Sequence, residues 1–431
     1  MAAARPMTIA EKILARAAGR DQVSPGESLP FRPDYMIAYD FPGYTDVMFR
    51  QMKDDFGMES LDEPDRYVLF IDHMLTRGTP DEEKMHEVTR NWAAKTGAHL
   101  HEGRGIGHQV AAELGYALPG NFLIHFDGHI SSLGAFGALG WGVRKDLLEA
   151  WITGQIYLDV PATARFDLVG ELNDYVDSRD LIHWIIKVNG ADSCVNQVME
   201  YGGPGAESLS IGRRQGLCGM AMFAGGVSAI FNPDATSIAF ANSVANRPFE
   251  PVSSDPDAVY ASRTRIDLSS LEPQVVMPGS ARSTNTRPVG EVAGVQLQHA
   301  YIGSCASGRI EDIRAAAAIL KGKRVAAGVH LNVVPTSEQI RRQAESEGLL
   351  RILEDAGAYI GASSCDFCFG YADPLQPGEN CISTGVLNIS GRMGSTQANI
   401  YMGSAYTVAA SALAGEIVDP RAIGEFANAS S

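Results

Sequence analysis

No stretch of the 431-residue sequence approaches the about 18 consecutive apolar residues that a membrane-spanning helix needs, which argues against a membrane partner. The N-terminus, MAAARPMTIAEKILARAAGRDQ, lacks the apolar core of a secretory signal. Positive charge is also short: 35 Lys and Arg stand against 51 Asp and Glu, a net charge of −16, which disfavours a nucleic-acid scaffold held by general charge attraction. Six cysteines are too few for a disulfide framework in so long a chain. The expected setting is the reducing cytoplasm, where sparse cysteines act as thiols or metal ligands.

What is present describes an ordinary globular protein: 45% hydrophobic and 20% charged residues, enough chain for several cores. TIAEK supplies a capping box, Thr8 with Glu11, ahead of an amphipathic helix. Tyr67 to His73 (YVLFIDH) and Asn121 to His129 (NFLIHFDGH) read as buried strands, with a helical pattern over Asp81 to Gly97 between them. The small-residue run SSLGAFGALGWG suits a helix lying close on a sheet. Such alternation predicts an α/β protein with largely parallel sheets. The Pro-, Ser- and Asp-rich stretch Asn246 to Gln274 is the expected linker, and a weaker break falls near Val160 to Asp174.

The chemistry-bearing residues cluster at strand ends. Asp72 and His73 follow one strand and Asp127 and His129 another, where open α/β sheets place their ligand crevice, so both pairs are candidate proton-transfer groups. His108 lies in the glycine-rich GRGIGHQV. Cys305 in GSCASGR falls between an expected strand and an expected helix, a position whose free N–H groups should lower its pKa and favour thiolate. Cys365 and Cys368 follow sixty residues on, in SSCDFCFG. Three thiolates with one histidine would serve structural zinc, and Cys381 could complete a four-thiolate site. The same three on an iron–sulfur cluster would leave one iron without a protein ligand.

Together YIGSCASGRIEDIRAA, SSCDFCFGYADPLQPGENCIST and SGRMGS resemble the large subunit of 3-isopropylmalate dehydratase and, more distantly, aconitase. MTIAEKILARAAG, GRGIGHQV, HFDGHISSLGAFGALG and ESLSIGRRQGLCGMA carry the likeness along nearly the whole chain. The resemblance implies three aconitase-like α/β domains, at 1–162, 163–255 and 270–431, around a central cluster cleft. It implies a 4Fe-4S cluster on Cys305, Cys365 and Cys368 whose fourth iron takes the substrate hydroxyl. Asp72, His73, His108, Asp127 and His129 are the implied catalytic groups; Arg392, Ser132 and Ser383 are the implied substrate contacts. A fourth, swivelling domain bearing a serine base is not expected in this chain, so a small second subunit should supply it.

The departures from the family pattern bear on substrate. DSHT becomes Asp127-Gly128-His129-Ile130, CNM becomes Cys218-Gly219-Met220, and Phe223 stands where a glutamate is usual. SNRNF is replaced by TGVLNIS, which puts Val386 and Leu387 at an asparagine and an arginine. A carboxylate left beside Leu387 would lose a charge-assisted bidentate contact and incur a desolvation penalty. The expected activity is therefore a hydro-lyase acting on a small hydroxy or unsaturated acid other than citrate or isopropylmalate. The alternative is a non-catalytic or regulatory iron–sulfur protein on the same fold.

Overall fold

The run YVLFI (Tyr67–Ile71) is buried along its whole length, as a strand covered on both faces must be. The computed structural model describes residues 5–41, 44–76, 78–279 and 283–423. Its first main sheet contains β1 (Tyr35–Tyr39), β2 (Tyr67–Ile71), β3 (His99–Glu102), β4 (Phe122–His125) and β5 (Leu139–Gly142), all parallel in the order β3-β2-β1-β4-β5. A second parallel sheet contains β6 (Ala162–Val169), β7 (Gln197–Gly202), β8 (Ser228–Phe231) and β9 (Ser262–Asp267), ordered β8-β7-β6-β9.

The third sheet has seven strands: β10 (Gln274–Val276), β11 (Thr286–Pro288), β12 (His299–Ile302), β13 (His330–Val333), β14 (Tyr359–Ile360), β15 (Asn380–Ser383) and β16 (Asn399–Met402). Their order is β11-β10-β16-β15-β12-β13-β14. Only the β11/β10 and β10/β16 pairings are antiparallel. The fold is thus α/β with mostly parallel sheets, as expected. No helix among the described residues is long and apolar enough to cross a membrane.

Local chemistry places the helices. Thr8 and Glu11 close the expected capping box of the helix Ile9–Ala17. Thr79 and Glu82 do the same for Pro80–Thr96, which ends on Gly97 at φ 79°, a left-handed cap that glycine adopts without strain.

One expectation is met and one corrected. The run after Asp127 forms the expected helix close on a sheet, a tight 3₁₀ helix, Gly128–Phe136. It lies so close to β8 that a Cβ at Gly134 would come within 1.7 Å of the Ala229 carbonyl oxygen. The expected linker is no free tether: it contains β9, paired with β6 along six residues. Its Asp255 and Ser254 accept hydrogen bonds from the Met7 and Ile9 N–H groups of the first helix, both at 2.7 Å.

Asp180 joins the second and third sheets. At the start of the helix Ser178–Asn189 its carboxylate accepts from the Asp177 and Gln274 N–H groups, both at 2.8 Å, with no solvent exposure. Burial outweighs these bonds and pushes the carboxyl up to about 7. Because the folded value lies above the unfolded one, near 3.9, the folded state holds the extra proton between them. Stability from this group is therefore full at acid pH and is lost as pH rises to about 7, at up to about 1.4 kcal/mol per pH unit. Denaturant unfolding at pH 5, 6.5 and 8 should show a shallower decline for Asp180→Asn than for the parent chain; parallel declines would exclude the assignment.

Candidate active site

A cleft of about 270 Å³ lies where the carboxyl ends of β1, β2 and β4 meet the loops that follow β12, β14 and β15. Strand direction explains the convergence. Tyr39 ends β1, Asp72 and His73 follow β2, Asp127 and His129 follow β4, Cys305 follows β12, and Cys365 and Cys368 follow β14. All of these residues line the cleft, together with His108 from the helix Gly107–Glu113 and Arg392. Ser132 and Ser383 do not line it. Ser132 is buried beside Gly219, and the Ser383 hydroxyl accepts from the Gly385 N–H at 2.8 Å, holding the turn that carries Val386 and Leu387.

Each imidazole at the strand ends is oriented by a carboxylate. Asp72 Oδ1 lies 2.6 Å from His73 Nδ1, and its Oδ2 accepts from the Gly107 N–H at 2.7 Å. Burial alone would raise the Asp72 carboxyl, but His73 and the Gly107 N–H outweigh it and hold it below the ordinary range. Burial would likewise lower His73, and Asp72 reverses this and raises it. Asp127 Oδ1 lies 2.8 Å from His129 Nδ1. Despite its burial, Asp127 is held well below the usual carboxylate range by His129 and His108. A side chain that sequence reasoning missed, Tyr39, donates its hydroxyl to Asp127 Oδ2 at 2.7 Å. A hydroxyl ending an apolar strand carries no motif signal.

The cysteine loop is bound to the first sheet by the residue between its thiols. Asp366, fully buried, accepts from the N–H groups of Met74 (2.6 Å), Leu75 (3.0 Å) and Thr76 (2.8 Å). Met74 takes a φ of 55°, an unusual conformation for a side chain of its size, which turns three successive N–H groups toward one anion. The Cys365 N–H donates to the Asp72 carbonyl at 3.0 Å. Asp366 also escaped sequence reading, being one of the unspecified residues of C-x-x-C.

In the protein without a bound cation, burial opposes the expected thiolate at Cys305. The helix after it starts only at Ile310, and withdrawal of water from the thiol, followed by Asp127 and Cys368, raises Cys305 well above its ordinary value; Arg309 and Arg392 oppose this without prevailing. Burial raises Cys365 in the same way. A cation bound by the thiols would reverse that balance. The donor set fits such a group: none of the three cysteines is in a disulfide, and Arg392 Nη2 donates to Cys368 Sγ at 3.5 Å. Among the described residues, buried His108 Nδ1 and His129 Nε2 also have no hydrogen-bond partner. Cys381 lies outside the cleft, level with His299 on the adjacent strand, and cannot complete a four-thiolate site with Cys305.

Much of the remaining lining is apolar. Leu387, Val386, Phe369, Met222 and Phe126 face the cleft, and Phe223 packs its ring 5.9 Å from that of His129. Arg392 stacks 3.5 Å above the Phe369 ring. Arg144, a lining residue that the sequence did not reveal, is exposed and held at a φ of 55°.

Replacing Asp366 by Ala leaves three N–H groups without their acceptor, at a cost of several kcal/mol. In cluster-free protein, mass-mapped alkylation should become faster at Cys365 and Cys368 in this variant and stay unchanged at Cys381. Equal rates at Cys365 in variant and parent would show that Asp366 does not hold the loop.

The family model of the aconitase family (aconitate hydratase) matches residues 64–287 and 280–415. The 3-isopropylmalate dehydratase large subunit of Sulfurihydrogenibium sp. is 36% identical over 425 residues, covering 97% of this chain and 97% of its own. Large subunit 1 from Methanopyrus kandleri is 34% identical, covering 96% and 99%, and the large subunit from Aquifex aeolicus is 36% identical, covering 96% and 97%. The holo form of aconitase X from Thermococcus kodakaraensis overlaps 88% of each chain at a TM-score of 0.49 and 14% identity, too remote to carry an argument. On its sequence matches along nearly its full length, the chain belongs to the aconitase family.

Proposed function

We propose that the chain is the large subunit of an iron–sulfur hydro-lyase that adds or removes water at a small hydroxy or unsaturated carboxylic acid. The observation that carries this reading is the convergence of three thiols and two carboxylate–imidazole pairs on one cleft. The matched relatives, named dehydratases and large subunits, support it. Cys305, Cys365 and Cys368 would hold the 4Fe-4S cluster. When bound, it supplies an iron without a protein ligand, a Lewis acid for a substrate hydroxyl.

The chain's own residues handle protons and orientation. Asp72 fixes His73 through Nδ1 and favours its charged form, so His73 holds a proton ready for a departing hydroxyl. Asp127 fixes His129 through Nδ1, leaving Nε2 to face water or substrate, while Tyr39 and His108 hold Asp127. Arg392 presents a planar guanidinium to one carboxylate, pre-oriented by Phe369. The described lining residues include no serine or lysine to take a proton from carbon. That base belongs to a small swivel-domain subunit carrying a serine, a partner of about 150 to 200 residues, one domain in size.

The substrate differs from the relatives' 3-isopropylmalate on this reading. Leu387 and Val386 place apolar surface in the cleft, and a second carboxylate there would lose its hydration without a charged partner.

Anaerobic reconstitution tests the centre. Cys305→Ser should abolish the broad visible absorbance of the cluster, and Cys381→Ser and Cys218→Ser should retain it. Hydratase activity should need the small subunit; full activity from the large chain alone would refute the placement of the base. Substrate assignment has its own measurement: kcat/KM across unsaturated monocarboxylic acids and isopropylmalate. Leu387→Arg should shift the ratio at least about tenfold toward the dicarboxylate, the scale of one charge-assisted contact. A parent chain already preferring isopropylmalate would sink the apolar-wall argument.

A further inference from the structure

At the amino end of the third sheet, remote in the topology from the cysteines, lies a second group of ligand-type side chains. His299 and His330 are the first residues of β12 and β13 and sit opposite one another in register, with ring centroids 5.0 Å apart. Asp373 reaches them from the loop that began at Cys365. Its Oδ2 lies 3.4 Å from His299 Nδ1 and 3.9 Å from His330 Nδ1, and the three ligand atoms all lie within 4.8 Å of one another. Two ligands on a tetrahedral zinc ion with bonds near 2.05 Å stand roughly 3.3 Å apart.

A carboxylate flanks each nitrogen of the His299 ring: Nε2 lies 3.1 Å from Glu379 Oε2 and Nδ1 lies 3.4 Å from Asp373 Oδ2. The side chain is only 7% exposed, and among the described residues Nδ1 has no hydrogen-bond partner. With the ring proton on the Glu379 side, the Nδ1 lone pair and the Asp373 oxygen can share one metal cation. Asp373 is oriented in turn by Asn332, whose Nδ2 donates to Oδ2 at 2.8 Å. His330 is exposed and able to close on a bound ion. His330, Asn332 and Asp373 line a cleft of about 550 Å³, which would leave a coordination position open to water or ligand.

We propose that His299, His330 and Asp373 form a binding site for one divalent transition metal of the zinc class, with Glu379 and Asn332 orienting its ligands. The ion would join the far end of the cysteine loop to the starts of β12 and β13, bracing from below the loop that Asp366 fixes from above.

Zinc itself is the probe. Cluster-loaded protein is stripped with a chelator, dialysed against micromolar Zn²⁺, and assayed for zinc and iron separately. About one zinc per chain should bind, with only nitrogen and oxygen ligands in X-ray absorption at the zinc edge, and it should raise the melting temperature. His330→Ala, at an exposed position that need not disturb folding, and Asp373→Asn should weaken binding at least tenfold and remove the melting shift. Sulfur in the zinc shell would place the ion at the cysteines and overturn the proposal. So would unchanged zinc affinity in His330→Ala. Absence of zinc binding would also overturn it.

Discussion

One buried carboxylate holds the site together. Asp366 sits between the cysteines Cys365 and Cys368 and accepts three successive N–H groups from the loop after β2, the same loop that carries Asp72 and His73. Thiols on the third sheet and the Asp72–His73 pair on the first therefore cannot move independently. Charge-assisted bonds to a fully buried carboxylate are the strongest the backbone can offer it, and releasing any of them would strand an N–H in the interior. The left-handed Met74 is the conformational cost of aiming those donors.

Around that anchor the cleft divides into a charged half and an apolar half. On the first-sheet side, the imidazoles hold Asp72 and Asp127 below the usual carboxylate range against the pull of burial, and Asp72 raises His73 in return. On the third-sheet side, Val386 and Leu387 lie near the cysteines on a turn tied by Ser383. Arg392 sits among the cysteines, bonded to Cys368 and stacked on Phe369.

Much of this was legible in the sequence because it is local. Buried strands appear as apolar runs, the first helix announces itself through Thr8 with Glu11, and strand ends place Asp72, His73, Asp127, His129 and Cys305 at one rim. Tyr39, Asp366 and Arg144 were not legible, since each matters through a partner or a cavity far away in the chain. Ser132 and Ser383, which the family resemblance suggested as substrate contacts, lie outside the cleft. The stretch expected to be a linker looked like one because strand β9 is exposed on most of its residues, which removes the apolar signal.

The sequence by itself determined the apolar buried strands, the capped first helix, the mainly parallel sheets, the family and most of the chemistry-bearing residues, because hydrophobic period, capping and motif spacing act over a few residues. Tertiary structure alone decided which of those groups meet. It brought the cysteine loop onto Asp72, and it left Cys381 at the opposite end of its strand, level with His299. It also raised Cys305 where a helix terminus had promised a thiolate. The physical reason is that desolvation and long-range hydrogen bonds depend on what packs around a group, and that is not written in its neighbours along the chain.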